Sequence, residues 1–143
     1  MQIKDKIYGT GDSSYKAAGE LSGVTQLVDT FYANMDTFPE AKTIRNMHPQ
    51  DLSESRKKLS YFLCGWLGGP KLFSENYGAI SIPGFHKPFA IGEAERDAWL
   101  LCMKKAIISQ PYEETFKTYL YQQISIPAER VRAASAEQRL GEK

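Results

Sequence analysis

Two histidines, His48 and His86, are the only imidazoles in this 143-residue chain, and that scarcity limits the metal chemistry it can host. A structural zinc site wants four ligands, and the two histidines with the separated Cys64 and Cys102 have no recognisable ligand spacing. There is no H-E-x-x-H, no Glu-x-x-His pair of a di-iron bundle, no G-x-S-x-G, and no phosphate or dinucleotide fingerprint. What remains is His86 within Gly84-Phe85-His86-Lys87-Pro88-Phe89, a short aromatic segment broken by proline. A single imidazole in an apolar setting suits an axial bond to a haem iron, whose other four nitrogens come from the porphyrin. A histidine with a purely structural role is the competing reading.

The surrounding polar residues bear on that choice. Tyr32 lies on the inward face of its helix, where its hydroxyl needs a partner, and Trp99 offers one indole N–H from the inward face of a later helix. With His48 they would form a set of donors around a diatomic ligand that gains partial negative charge, and slow its release. The alternative is two ordinary core aromatics and an exposed turn histidine.

The elements that must position these residues are helical. Val24, Leu27, Val28, Phe31, Tyr32 and Met35 recur at the spacing of one helix face, with Ser22 as the expected cap and Pro39 as the stop. A short helix over roughly 39–46 takes proline at its first position and ends at His48-Pro49. Asp51 or Ser53 caps the next, whose expected inward stripe is Leu52, Ser55, Leu59, Phe62, Leu63 and Trp66, and Gly68-Gly69-Pro70 breaks it. Glycine and proline punctuate 77–84. A long helix from Gly92 or Glu93 to about Gln110 carries Trp99, Cys102, Met103, Ala106 and Ile107 inward. The last runs from about 112 into the 130s, with Pro127 expected to kink or interrupt it. The expectation is one all-α domain over 1–143, with a loose lead-in at 1–12, a short helix capped by Asp12-Ser13-Ser14, and a frayed tail at 134–143.

Composition excludes several classes. The formal net charge of +1, with no Lys/Arg stripe, argues against a nucleic-acid surface. No run reaches the roughly 18 to 20 apolar residues of a membrane span, and the start of the chain lacks a signal-peptide pattern, so a cytoplasmic protein is expected. Cys64 and Cys102 read as buried, reduced thiols.

Taken in order, Phe31-Tyr32, Phe62-Leu63, Trp66-Leu67-Gly68-Gly69-Pro70, His86-Lys87-Pro88-Phe89 and Glu95-Arg96-Asp97-Ala98-Trp99-Leu100 resemble the motifs of group II truncated haemoglobins, over roughly residues 22–110. The resemblance implies a two-over-two helical sandwich, with a loop replacing most of the proximal helix. It implies haem b (iron protoporphyrin IX) as cofactor, with His86 as the proximal iron ligand, Tyr32 and Trp99 as distal donors, and His48 at the pocket edge. Ser55 matches the small residue at the usual distal-histidine position. Leu59 and Phe62 match haem contacts on the same helix, Phe89 one below the ring, and Met103 is counted with them. Lys58, Arg56 or Lys87 would reach a propionate. Phe85 and Ala79-Ile80-Ser81-Ile82 stand where family members often carry an arginine and a His-Pro-Arg-like run, a departure that touches the propionate anchors rather than the iron ligand.

The expected ligands are O2, CO, NO or peroxide, with a separate reductase as partner, in a monomer or weak dimer. Several donors around bound oxygen favour scavenging, sensing or redox protection over bulk oxygen transport. Turnover as an NO dioxygenase or peroxidase-like enzyme is the alternative, and a cofactor-free helical interaction module is a third reading from a different class.

Overall fold

The computed structural model describes residues 8–78 and 92–141, with side chains described through residue 133. In chain order its helices are α1 (Ser13–Ala17), α2 (Glu20–Thr37), a 3-10 turn (Pro39–Ala41), α3 (Lys42–Asn46), α4 (Ser53–Trp66), α5 (Leu72–Tyr77), α6 (Glu93–Ser109) and α7 (Glu114–Gly141). Helix α2 packs against both α4 and α6, and α6 packs against α7, so the pair α2/α4 lies over the pair α6/α7. This is the expected all-α, two-over-two sandwich. The loop expected to replace the proximal helix falls on 79–91, outside the described residues, and His86, Lys87 and Phe89 fall with it.

The helical periodicity of α2 becomes its burial pattern. Val24, Leu27, Val28 and Phe31 are fully enclosed, and Tyr32 and Met35 almost so. The helix stops because Phe38, preceding Pro39, is driven into extended backbone (φ −76°, ψ 125°). Its start differs from expectation: α2 opens at Glu20 behind Gly19, not at Ser22. The reason is a close crossing. A Cβ at Gly23 would lie 1.9 Å from the Ala18 carbonyl oxygen, and Gly19 turns the chain with φ +88°. Two glycines four apart let the end of α1 pass over the first turn of α2.

In α4 the most buried face is also shifted from the expected one. Leu52, Ser60, Leu63, Cys64 and Leu67 are buried, whereas Ser55, Leu59, Phe62 and Trp66 are only partly covered. The helix has two adjacent apolar faces, and the first one packs into the core. Asp51 Oδ1 accepts from the Ser53 backbone N–H at 2.9 Å and its hydroxyl at 2.7 Å, which fixes the turn into the helix. Gly68 (φ +95°) ends it, and a side chain there would strike the Gly11 carbonyl.

Two further links set the frame. Asn34 Nδ2 donates to the Cys102 carbonyl at 3.0 Å, pinning α2 to α6. Arg96 on α6 pairs with Glu129 on α7 at 2.6 Å, and Arg132 grips the same carboxylate at 2.6 Å. Helix α7 continues through Pro127 to Gly141, so the proline does not interrupt it. Proline removes one backbone hydrogen bond. Packing of Phe116, Leu120 and Ile124 before it, and of Val131 with the Arg132–Glu129 pair after it, holds the helix on both sides. Cys64 and Cys102 are free and buried, and burial raises both thiols, Cys102 to about 11, which leaves them unreactive at neutral pH. Among the described residues no helix is long and apolar enough to cross a membrane.

Candidate functional site

Tyr32 is the most informative residue of the site. Its position on the core stripe of α2 leaves it 4 % exposed. Its ring meets Phe31 edge-on at 4.9 Å and His48 edge-on at 5.8 Å. Desolvation pushes its pKa up to about 12, partly offset by the positive charge of Arg56, so the phenol keeps its proton throughout the neutral range. Among the described residues no hydrogen-bond partner meets its hydroxyl. A phenol packed this way is a donor with nothing from the surrounding helices to receive it.

His48 is delivered by the turn that closes α3. Its backbone N–H donates to the Arg45 carbonyl at 3.1 Å, and Nδ1 lies 2.8 Å from the Ile44 carbonyl oxygen. A carbonyl oxygen only accepts, so Nδ1 carries the proton, and in the neutral ring Nε2 is an acceptor. Trp99 rides on α6, half-buried, with its ring 5.0 Å from Phe31. Phe31 therefore lies between the indole and the Tyr32–His48 pair, and the Asn34–Cys102 bond holds the two helices at that spacing.

The α4 residues divide into three groups. Ser55 and Leu59 are half-buried, and Phe62 stacks on Trp66 at 6.3 Å with only 25° between the rings, also half-buried. Lys58 holds its ammonium 5.4 Å above the Tyr77 ring, whose hydroxyl donates to Glu54 at 2.7 Å. Arg56 brings its Nε to 4.0 Å from Asp29 Oδ1 on α2. Met103 is fully buried in the α2/α6 core. Of the residues singled out in the sequence, Tyr32 and His48 are thus brought into contact, and Trp99 is joined to them through Phe31. Lys58 points into an aromatic cluster with α5. Among the described residues no cluster of His, Cys, Asp and Glu could hold a metal ion by itself.

Sequence reasoning missed the Ile44 carbonyl that orients His48 and the Asn34 amide that ties α2 to α6. The first is a backbone atom and carries no sequence signal. The second had only a weak one, a polar residue two positions beyond Tyr32 on a helix that carries other polar residues.

The family model of the bacterial-like globins matches residues 13–132. The chain is 37 % identical over 117 residues to the group 2 truncated hemoglobin YjbI of Bacillus subtilis, covering 82 % of this chain and 86 % of that one. Among solved structures it resembles the group II 2-on-2 hemoglobin from the plant pathogen Agrobacterium tumefaciens, with a TM-score of 0.80 and 32 % identity across 92 % of this chain and 98 % of the other. It also resembles the truncated oxygen-avid haemoglobin from Bacillus subtilis, with a TM-score of 0.74 and 36 % identity over 82 % and 97 % of the two chains. Agreement in sequence along most of the chain and in the packing of its helices leads to one conclusion: this protein belongs to the bacterial-like globins, within their group II truncated haemoglobins.

Proposed function

We propose that this chain binds haem b through His86 and reversibly holds O2, CO or NO on the opposite side, where Tyr32, His48 and Trp99 act on the ligand. The observation that carries the reading is the Tyr32 phenol, buried, protonated and without an acceptor among the described residues, beside an imidazole whose Nδ1 faces the Ile44 carbonyl. The second face of α4 supports it. Leu59, Phe62 and Trp66 form an apolar strip that the protein covers only in part, with two stacked rings, a surface suited to a flat macrocycle. Both cysteines are buried and no C-x-x-C-H occurs in the sequence, which favours non-covalent haem b over an attached haem.

Haem, when bound, supplies an iron that coordinates a diatomic ligand. The rest is the work of side chains. Tyr32, its phenol protonated, would donate a hydrogen bond from its O–H to the ligand. His48, neutral, accepts a hydrogen bond and so can orient a neighbouring hydroxyl; as imidazolium it donates to the ligand directly. Trp99 adds an indole N–H donor, and Phe31 with the α2 core keeps water away. Ser55, lacking bulk, leaves one side open to entry. Donors in a dry pocket slow ligand release, which favours scavenging, sensing or redox protection over bulk transport. The relative described as oxygen-avid is consistent with such a role. We place the whole of 1–143 in one globin unit in the cytoplasm, reduced by a separate reductase.

The test is haem titration of the purified protein. A sharp Soret band saturating at one haem per chain, which shifts on reduction and again on CO addition, is expected. A protein that stays colourless with excess haem refutes the proposal and favours a cofactor-free interaction module.

A further inference from the structure

Residues 8–12 cross from α7 to the end of α4, and glycines mark both crossings. The Tyr8 ring packs 5.1 Å from Tyr119 and 5.2 Å from Phe116, and its hydroxyl lies 2.7 Å from Thr115 Oγ1, all three on α7. A Cβ at Gly9 (φ +81°) would lie 2.6 Å from the Tyr119 hydroxyl, and one at Gly68 (φ +95°) would lie 1.9 Å from the Gly11 carbonyl oxygen. Ser14, 2 % exposed, braces this crossing, since its Oγ accepts from the Gly9 backbone N–H at 2.7 Å. Between these contacts lies a cleft of about 250 Å³, walled by Gly65 and Trp66 of α4, by Tyr119 and Gln123 of α7, and by the glycines of the lead-in. Tyr32, His48 and Trp99 take no part in it.

The wall defines what fits. No charged side chain lines the cleft, so an ion would lose hydration there without meeting a counter-charge. Helix α4 contributes an indole and α7 a phenol ring. The Trp66 indole is already stacked on Phe62, with 25° between the planes, and another flat ring would extend that stack. Hydrogen-bonding capacity is left over as well. The Trp66 N–H, the Tyr119 hydroxyl and the Gln123 amide form no hydrogen bond among the described residues, and together they offer both donors and acceptors. Drug-sized ligands occupy sites of roughly 300 Å³ and more, so this smaller cleft suits a single ring.

We propose that the cleft is a second ligand site, which takes a small uncharged aromatic alcohol of the phenol or catechol class between Trp66 and Tyr119. The ring of the ligand stacks on the indole, and its hydroxyl exchanges hydrogen bonds with Gln123 and Tyr119. The proposal does not rest on haem, and a chain that fails to take haem up is titrated by the same criteria.

The test follows the two indole N–H NMR signals of the full chain, in its diamagnetic CO-bound ferrous form, during titration with phenol. Trp66 and Trp99 are the only tryptophans, and Trp99→Phe assigns their signals. The Trp66 signal should shift saturably while that of Trp99 stays in place. Tyr119→Phe, which keeps the ring, and Gln123→Leu, which keeps the bulk, should each weaken binding about three- to tenfold, one hydrogen bond apiece. Benzoate, which is charged, and cyclohexanol, which is not flat, should bind more weakly than phenol. A Trp66 signal that never moves overturns the proposal, as does a Trp99 shift in step with it, or a phenol affinity in both variants equal to the parent's. A Trp66 shift that haem loading abolishes marks phenol in the haem slot and overturns it too.

Discussion

Replacing Tyr32 with phenylalanine separates packing from chemistry more cleanly than any other change in this protein. The ring stays, with its edge contacts to Phe31 and His48, and only the hydroxyl is lost. Because that hydroxyl has no hydrogen-bond acceptor among the described residues, its removal orphans no partner there. The ligand-free protein should therefore be as stable as the parent or slightly more so, within about 0.5 kcal/mol. The ligand-bound state loses one donor to a partly charged acceptor, about 1 to 2 kcal/mol, which is roughly a 5- to 30-fold faster O2 release. Stopped-flow displacement of O2 by CO measures the rate, and urea titration of the apoprotein measures the stability. An unchanged off-rate, or a stability loss above 1 kcal/mol, would mean that the hydroxyl is spent on the fold and not on the ligand.

Trp99→Phe should also speed O2 release, by about fivefold, the loss of one indole donor worth about 1 kcal/mol; an unaltered rate in the same assay removes Trp99 from the ligand's surroundings. Gly23→Ala introduces a methyl 1.9 Å from the Ala18 carbonyl, so overpacking of about 3 kcal/mol should outweigh the roughly 1 kcal/mol helix-propensity gain, and chemical denaturation should show a net loss. Stability should decline as pH rises above about 9 to 10. Burial raises Cys102 from 9.0 to about 11 and Tyr32 and Tyr112 from 10.0 to about 12, so the unfolded chain gives up these protons first and binds fewer than the folded one. Urea midpoints measured from pH 8 to 11 check this, and Tyr112→Phe should flatten the slope; a midpoint that holds steady to pH 11 contradicts it.

Much of this was readable from residue order because single positions dictate local geometry. Pro39, Pro49 and Pro111 each follow the end of a helix, although α7 runs on through Pro127, and the α2 stripe admits one buried face, so Tyr32 had to point inward. Helix α4 was harder. It carries two neighbouring apolar faces, and periodicity alone does not say which one meets α2, so Leu67, Ser60 and Cys64 displaced Ser55, Phe62 and Trp66 from the deepest positions. The start of α2 escaped notice because Ser22 is a good cap by type, while the crossing at Gly19 and Gly23 is a tertiary constraint. Lys58 was read as one of three residues able to reach a propionate; its contact with the Tyr77 ring, a separate feature, depends on where α5 packs, which no local pattern encodes. His48 was expected at the pocket edge as a distal residue; the Ile44 carbonyl that orients its ring becomes visible only once α3 closes.

The central claim is the bond between His86 and a haem iron. Resonance Raman spectra of the ferrous, ligand-free protein, taken beside His86→Gly with and without added imidazole, test it most directly. The account predicts an iron–histidine stretching band in the parent, its loss in His86→Gly, and its return when imidazole fills the cavity. The same band persisting in His86→Gly without imidazole would show that another residue holds the iron, and would contradict the account.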